Sequence, residues 1–315
     1  MAARLGRMRL GTVSVDGIDV PATVDDQTIH VPLGGVLPDG GTAAVRLVYS
    51  ATLRSGVTGS DWMFTRANGI ADLYRWIPWI SRRRTFDRPN HGDPFVTPVA
   101  SRVTLRIVTD RRLRIAVNGR RTAVSADGLR QTFVAENVRD LPVTAAPDYR
   151  ITTGTVDGVT VKVYARPGAP ASTMLSWARR ALHRMAALVG PYPYATLVVA
   201  QSAGGYGMEG PGVIWLPAGL AASRVPYLAS HEIAHQWFYG LVGNDQATQP
   251  FADEAAADFL ARYTLGARRA SRCATGRLDL WIYRYSRACY YEVVYVQGGN
   301  LLDDQRRRMG DARFW

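Results

Sequence analysis

The stretch that decides the reading is His231-Glu232-Ile233-Ala234-His235, followed after 18 intervening residues by Glu254. On a helix, positions i and i+4 lie one turn apart on the same face, so His231 and His235 can present two imidazoles to one ion. Neutral imidazole suits zinc, and a catalytic zinc site needs a third protein ligand and an open position. Glu254 is the candidate third ligand, and one Zn2+ per chain is the expected cofactor. Glu232 is not needed as a ligand; it fits a general base that takes a proton from a zinc-activated water and carries it to a leaving amine. Asp258 follows Glu254 by one helical turn and is the expected carboxylate partner of a metal-bound histidine.

The chain holds five histidines and five glutamates. At those frequencies an HExxH arises by chance about once in a thousand sequences of this length. Three of the glutamates, Glu209, Glu232 and Glu254, fall within one short stretch around the motif.

Working outward, the second half reads as helices around a buried strand. Leu175, Ala178, Leu182, Met185 and Val189 recur at helical spacing, with Ser172 as cap and Gly190-Pro191 as stop. Thr196–Gln201 reads as a strand. A helix carrying the histidines starts near Pro226 and runs to Gly243-Asn244, another spans 253–265, and the last begins near Gly299. The first half reads as all-β: 45–53, 102–109, 113–117 and 129–134 are short and rich in Val, Ile, Leu and Thr. Asp39-Gly40-Gly41, Asn118-Gly119, Asp127-Gly128 and Asp157-Gly158 supply turn signals. The stretch from Trp76 to Pro98 is Pro- and Arg-rich and reads as a long loop. The expected division is an all-β domain over 1–153 and a catalytic domain over 154–315.

Of 315 residues, 47% are hydrophobic and 20% charged, as in ordinary globular proteins. The net charge is +12, carried almost wholly by arginine, since Lys162 is the only lysine. Apart from Arg82–Arg84 and Arg306–Arg308 the arginines are dispersed, which fits a solvated surface better than a nucleic-acid face. No nucleic-acid partner is expected. No segment is apolar enough to span a bilayer, and Met1 to Gly17 lacks the apolar core of a signal peptide. As written the chain reads as cytoplasmic, with an extracytoplasmic home compatible with an incomplete N-terminus. Cys273 and Cys289 are either reduced thiols or one disulfide.

Three motifs, in order, resemble the zinc aminopeptidases that include aminopeptidase N, within the thermolysin-like gluzincins. Gly205-Tyr206-Gly207-Met208-Glu209-Gly210-Pro211-Gly212 resembles the family's GxMEN stretch. His231 to Glu254 has the family's gap and the similar context Gly243-Asn244-Asp245-Gln246…Asp253-Glu254. Val294-Tyr295-Val296-Gln297-Gly298-Gly299 is similar to its Y-x-K-G segment. The resemblance implies a fold: an N-terminal antiparallel β-sandwich or saddle domain followed by a thermolysin-like α/β peptidase domain. It also implies a substrate, a peptide or protein with a free N-terminus.

In that scheme Glu209 binds the free α-amino group, while Gly205, Gly207 and Met208 lie along the substrate chain. Tyr295 hydrogen-bonds the oxyanion of the tetrahedral intermediate. Three departures stand out. The family's Asn is Gly210, its Lys is Gln297, and Asp61–Arg66 offers no Glu or Gln for the amine pocket. The chain also stops at Phe314-Trp315, where the family continues into further helices, so the catalytic domain reads as C-terminally incomplete, with exposed terminal aromatics. The competing reading is a catalytically impaired scaffold of the same fold that binds peptides without cleaving them.

Overall fold

The computed structural model describes residues 8–25, 28–58, 63–80 and 98–315. Most of the Pro- and Arg-rich stretch, Arg82–Arg84 included, lies outside the described residues, as do Asp61 and Trp62.

The first half is built of antiparallel strands. Arg130–Val138 shows how sequence becomes layer: Gln131, Phe133 and Ala135 alternate inward, while Arg130 and Glu136 face water. It pairs with Ala100–Val108 on one side and Arg120–Val124 on the other. A four-stranded sheet, in the order Phe64–Ala67, Ile70–Leu73, Val143–Ala146, Arg114–Val117, faces the second half. Asn118-Gly119 is a turn, as its composition predicts, but its flanking strands belong to different sheets. Gly119 has φ 85°, and a Cβ there would lie 2.3 Å from the Val134 carbonyl oxygen, so the crossing strand leaves no room for a side chain. Asp157-Gly158 does make a hairpin, with φ of 50° and 79°, the sign pattern of a primed turn.

That hairpin opens a five-stranded mixed sheet in the order Arg150–Val156, Val159–Ala165, Thr196–Ser202, Val213–Pro217, Met208–Gly210. Position 153 lies inside its first strand. Helix α1 (Ala171–Val189) connects two parallel strands. It is capped at Pro170, with Ser172 inside the first turn rather than at the cap. One face of the sheet (Val161, Val163, Leu197, Val199, Ile214, Leu216) packs on α1 and on helix α2 (Val225–Ala234). The other face (Val198, Ala200, Val213, Trp215) packs on Tyr74 and Ala116 of the β half. The sheet therefore holds the helical layer and the β half in one packed body. Burying each large side chain of these clusters contributes about 1.5–3 kcal/mol.

Three helices depart from their predicted spans. Helix α2 ends at Ala234, with His235 as cap, instead of continuing to Gly243. Beyond it the turns widen: the Gly240, Leu241 and Val242 amides bond the carbonyls of His235, Gln236 and Trp237, and Tyr239 takes φ 108°. The helix over 253–265 begins as a π-turn, Phe251–Ala255, before α3 (Ala256–Leu265). The last helix begins as a π-turn at Tyr291–Gln297 and continues as α4 (Gly298–Met309). Apolar periodicity does not distinguish a wide turn from a regular one, and single π-turns concentrate at functional sites.

Cys273 and Cys289 form a disulfide. Phe314 packs into the helical core and is half-buried, less exposed than expected, while Trp315 stays exposed as expected; both contact the ring of Phe259. No helix among the described residues is long and apolar enough to cross a membrane.

Candidate metal centre

Helix α2 places His231 and His235 one turn apart, and the π-turn at the head of α3 brings Glu254 to them. All three are buried. His231 Nε2 lies 3.1 Å from Glu254 Oε2, His235 Nε2 lies 3.3 Å from the same oxygen, and the two Nε2 atoms are 3.3 Å apart. A tetrahedral ion with bonds of about 2.0–2.1 Å has its ligands roughly 3.3 Å apart. Three potential donor atoms thus outline one face of such a tetrahedron. His235 Nδ1 is 3.0 Å from the Phe238 carbonyl, which assigns its proton to Nδ1 and leaves Nε2 with a lone pair.

The electrostatics ask for positive charge at this point. Burial raises the Glu254 pKa, but the His235 charge and hydrogen bonds from both imidazoles outweigh it and hold the carboxyl below its usual range. Burial pulls the His235 pKa down, yet Glu209 and Glu254 lift it well above the ordinary histidine value. A divalent cation supplies the same compensation without the protons. The donor set, its spacing and its burial fit zinc.

The other expected residues gather around this face. One ligand atom each of Glu209, Glu232 and His235 lie within 4.8 Å of one another. Glu232 is buried, and burial together with Glu209 and Glu254 pushes its pKa well above the usual carboxyl value. Gly207 runs over it so closely that a Cβ would lie 2.1 Å from Glu232 Oε1, so any side chain there would push the Glu232 carboxylate out of place. Gly205 has open space around it. Met208 and Glu209 lie on the edge strand Met208–Gly210, Met208 paired with Trp215 and Glu209 with Ile214. The Tyr74 hydroxyl of the β half donates to the Glu209 carbonyl at 3.2 Å. The Tyr295 ring stacks on His231 at 5.4 Å and 16°, from the π-turn before α4. That approach needs Gly298, whose Cβ would lie 2.7 Å from Ala255 Cβ.

Asp258 is not hydrogen-bonded to either histidine, contrary to its expected position. Its carboxylate accepts from Tyr227 Oη at 2.5 Å and Arg262 Nε at 2.6 Å. Tyr227 in turn stacks on His231 at 5.9 Å, so Asp258 reaches the site through that ring. The i, i+4 spacing fixed the helix face but not the direction of the side chain, which the Arg262 guanidinium captures. His231 Nδ1 is buried without a hydrogen-bond partner.

Two departures acquire physical reasons. A Cβ on Gly210 would lie 2.6 Å from Pro142 Cγ, so the β half fills the space an Asn would take. Gln297 spends its carboxamide on the disulfide loop, accepting from the Gly276 amide and donating to the Ala274 and Cys273 carbonyls. Gln246 and Asp253, which in the sequence carry no role beyond the context of Glu254, are both buried beside Glu209, and the Gln246 Nε2 donates to Glu209 Oε1 at 2.8 Å. No spacing rule could have found that contact, which joins residues 37 positions apart.

No protein-family model matches the chain, and no curated protein matches it. Solved structures do. The M1 zinc metallopeptidase from Deinococcus radiodurans superimposes with a TM-score of 0.71 at 20% identity, over 98% of this chain and 74% of that one. A mutant two-domain M1 zinc metallopeptidase bound to L-tryptophan gives 0.73 at 21% identity, over 98% and 75%. A mutant of the Deinococcus enzyme bound to a Tyr-Ser-Ala substrate gives 0.72 at 21%, over 98% and 74%. The β half, mixed sheet and helices of this chain thus have the two-domain M1 peptidase fold.

Proposed function

We propose that this chain is a zinc metallopeptidase that hydrolyses peptide bonds and releases N-terminal residues. The observation that carries the reading is the convergence of His231, His235 and Glu254 donor atoms at 3.1–3.3 Å, with Glu232 and Glu209 beside them. Similarly folded proteins hold amino acids and a tripeptide substrate, which supports a peptide substrate here.

His231, His235 and Glu254 would hold the zinc, which when bound would supply the acidification of a water molecule and the polarisation of the scissile carbonyl. Glu232 accepts the proton of the attacking water and delivers it to the leaving nitrogen. Tyr295 donates its hydroxyl proton in a hydrogen bond to the developing oxyanion. Glu209 takes the substrate ammonium. In an amino acid the α-nitrogen and carbonyl carbon are two bonds apart, so an amine held at Glu209 sets the first peptide carbonyl beside the ligand face. An anchor this close leaves space for one residue, which is what makes the reaction an exopeptidase one. Glycine at 207 lets the backbone just before the edge strand lie close against the Glu232 carboxylate.

The test is hydrolysis of aminoacyl anilides by zinc-loaded protein and by Glu232→Gln. The variant is expected to keep one zinc and lose turnover by about 10²–10⁴-fold. Undiminished turnover in Glu232→Gln overturns the mechanism.

A further inference from the structure

Glu209 is not held by the strand alone. Gln246 is 2% exposed, and its carboxamide nitrogen sits between two carboxylates. One N–H goes to Glu209 Oε1 at 2.8 Å and the other to Asp253 Oδ2. A primary amide has two donor hydrogens on one nitrogen, so both are spent on this bridge. The bridge joins the edge strand that carries Glu209 to the π-turn that carries Glu254.

The chemistry of the bridge matters as much as its geometry. An arginine or lysine between two carboxylates would orient them and neutralise them together. A carboxamide orients them without adding charge, so the acidity that attracts an ammonium is preserved. The cluster is also short of donors: Gln246 Oε1 and Asp253 Oδ1 are buried acceptors without a hydrogen-bond partner. Gly210 has no side chain to offer the amine pocket, and Pro142 occupies the space one would take.

We infer that Gln246 is the positioning residue of the amine anchor: its carboxamide ties Glu209 to Asp253, and selection of substrates with a free α-ammonium depends on that tie. The inference rests on the reading of Glu209 as the amine-binding residue.

The test uses zinc-loaded full-length protein and two probes, L-alanine hydroxamate and its N-acetyl derivative, with Kd measured by calorimetry. Both probes can engage the metal through the hydroxamate, so their ratio reports the amine alone. The proteins are the unaltered chain, Glu209→Gln, Gln246→Leu and the double variant, each checked for zinc content and melting temperature. Gln246→Asn, one methylene too short to span both carboxylates, replaces Gln246→Leu if the latter does not fold. Hydrogen bonds to charged groups set the scale, so the Gln246 variant is expected to bind the free-amine probe about 10–100-fold more weakly. Its affinity for the N-acetyl probe stays unchanged, and in the Glu209→Gln background the Gln246 effect disappears. Equal loss for both probes, or a full further loss in the Glu209→Gln background, overturns the inference and leaves Gln246 a structural residue. If Glu209→Gln itself leaves the preference untouched, the Glu209 reading fails and the inference falls with it.

Discussion

Gly210 lies against Pro142, with the site of a missing Cβ 2.6 Å from the proline Cγ. A strand of the second half and a loop of the β half therefore meet where the resembling family has an asparagine side chain. Gly210→Asn is expected not to restore an amine-pocket contact. It should instead force the two halves apart, destabilising the protein by about 1–3 kcal/mol, the usual cost of overpacking. Denaturant melts check this, and an unchanged midpoint would show that Pro142 yields freely.

Asp72 is a second junction between the halves, fully buried, accepting from the Ala203 amide at 2.7 Å and from Thr144 at 2.6 Å. Burial pushes its pKa up to about 7, against hydrogen bonds from Thr144 and Ala203 that lower it. Its folded value thus exceeds its unfolded value, near 3.9, so the folded state holds the extra proton between about pH 4 and 7. Stability from this group falls as pH rises through that window and is level above it. Asp72→Asn keeps the geometry and cannot titrate. Its stability relative to the unaltered chain should climb by roughly 2–4 kcal/mol from pH 4 to 8. A constant difference across that range in urea melts refutes the assignment.

The Cys273–Cys289 disulfide closes a 16-residue separation just before the π-turn that carries Tyr295. Val293 donates to the Cys289 carbonyl at 2.8 Å, and Gln297 donates to the Cys273 carbonyl at 3.2 Å. Replacing both cysteines by serine should cost about 3 kcal/mol on a loop-closure basis. Turnover should fall several-fold as Tyr295 loosens, while zinc content holds, because His231, His235 and Glu254 lie outside the loop. Loss of zinc with the disulfide would show the loop to be part of the metal site.

The sequence was most informative where a local rule binds residue type to backbone. The i, i+4 histidines, the Asp157-Gly158 hairpin and the periodic face of α1 are of that kind, and each recurs in the fold. Wide turns left no such trace. The π-turns that aim Glu254 and Tyr295 carry the apolar spacing of ordinary helix, so only the element and not its entry was legible. Side-chain direction was equally hidden: Asp258 lies on the expected helix but turns to Tyr227 and Arg262. The Gln246 bridge and the Pro142 contact depend on the docking of distant segments, which no single-sequence pattern encodes.

The central claim is a zinc ion held by His231, His235 and Glu254. It is tested most directly by titrating metal-free protein with zinc in a calorimeter, alongside His235→Ala. One tight site in the unaltered chain and none in the variant is the predicted result. No tight site in the folded unaltered chain, or an undiminished site in His235→Ala, would contradict the account.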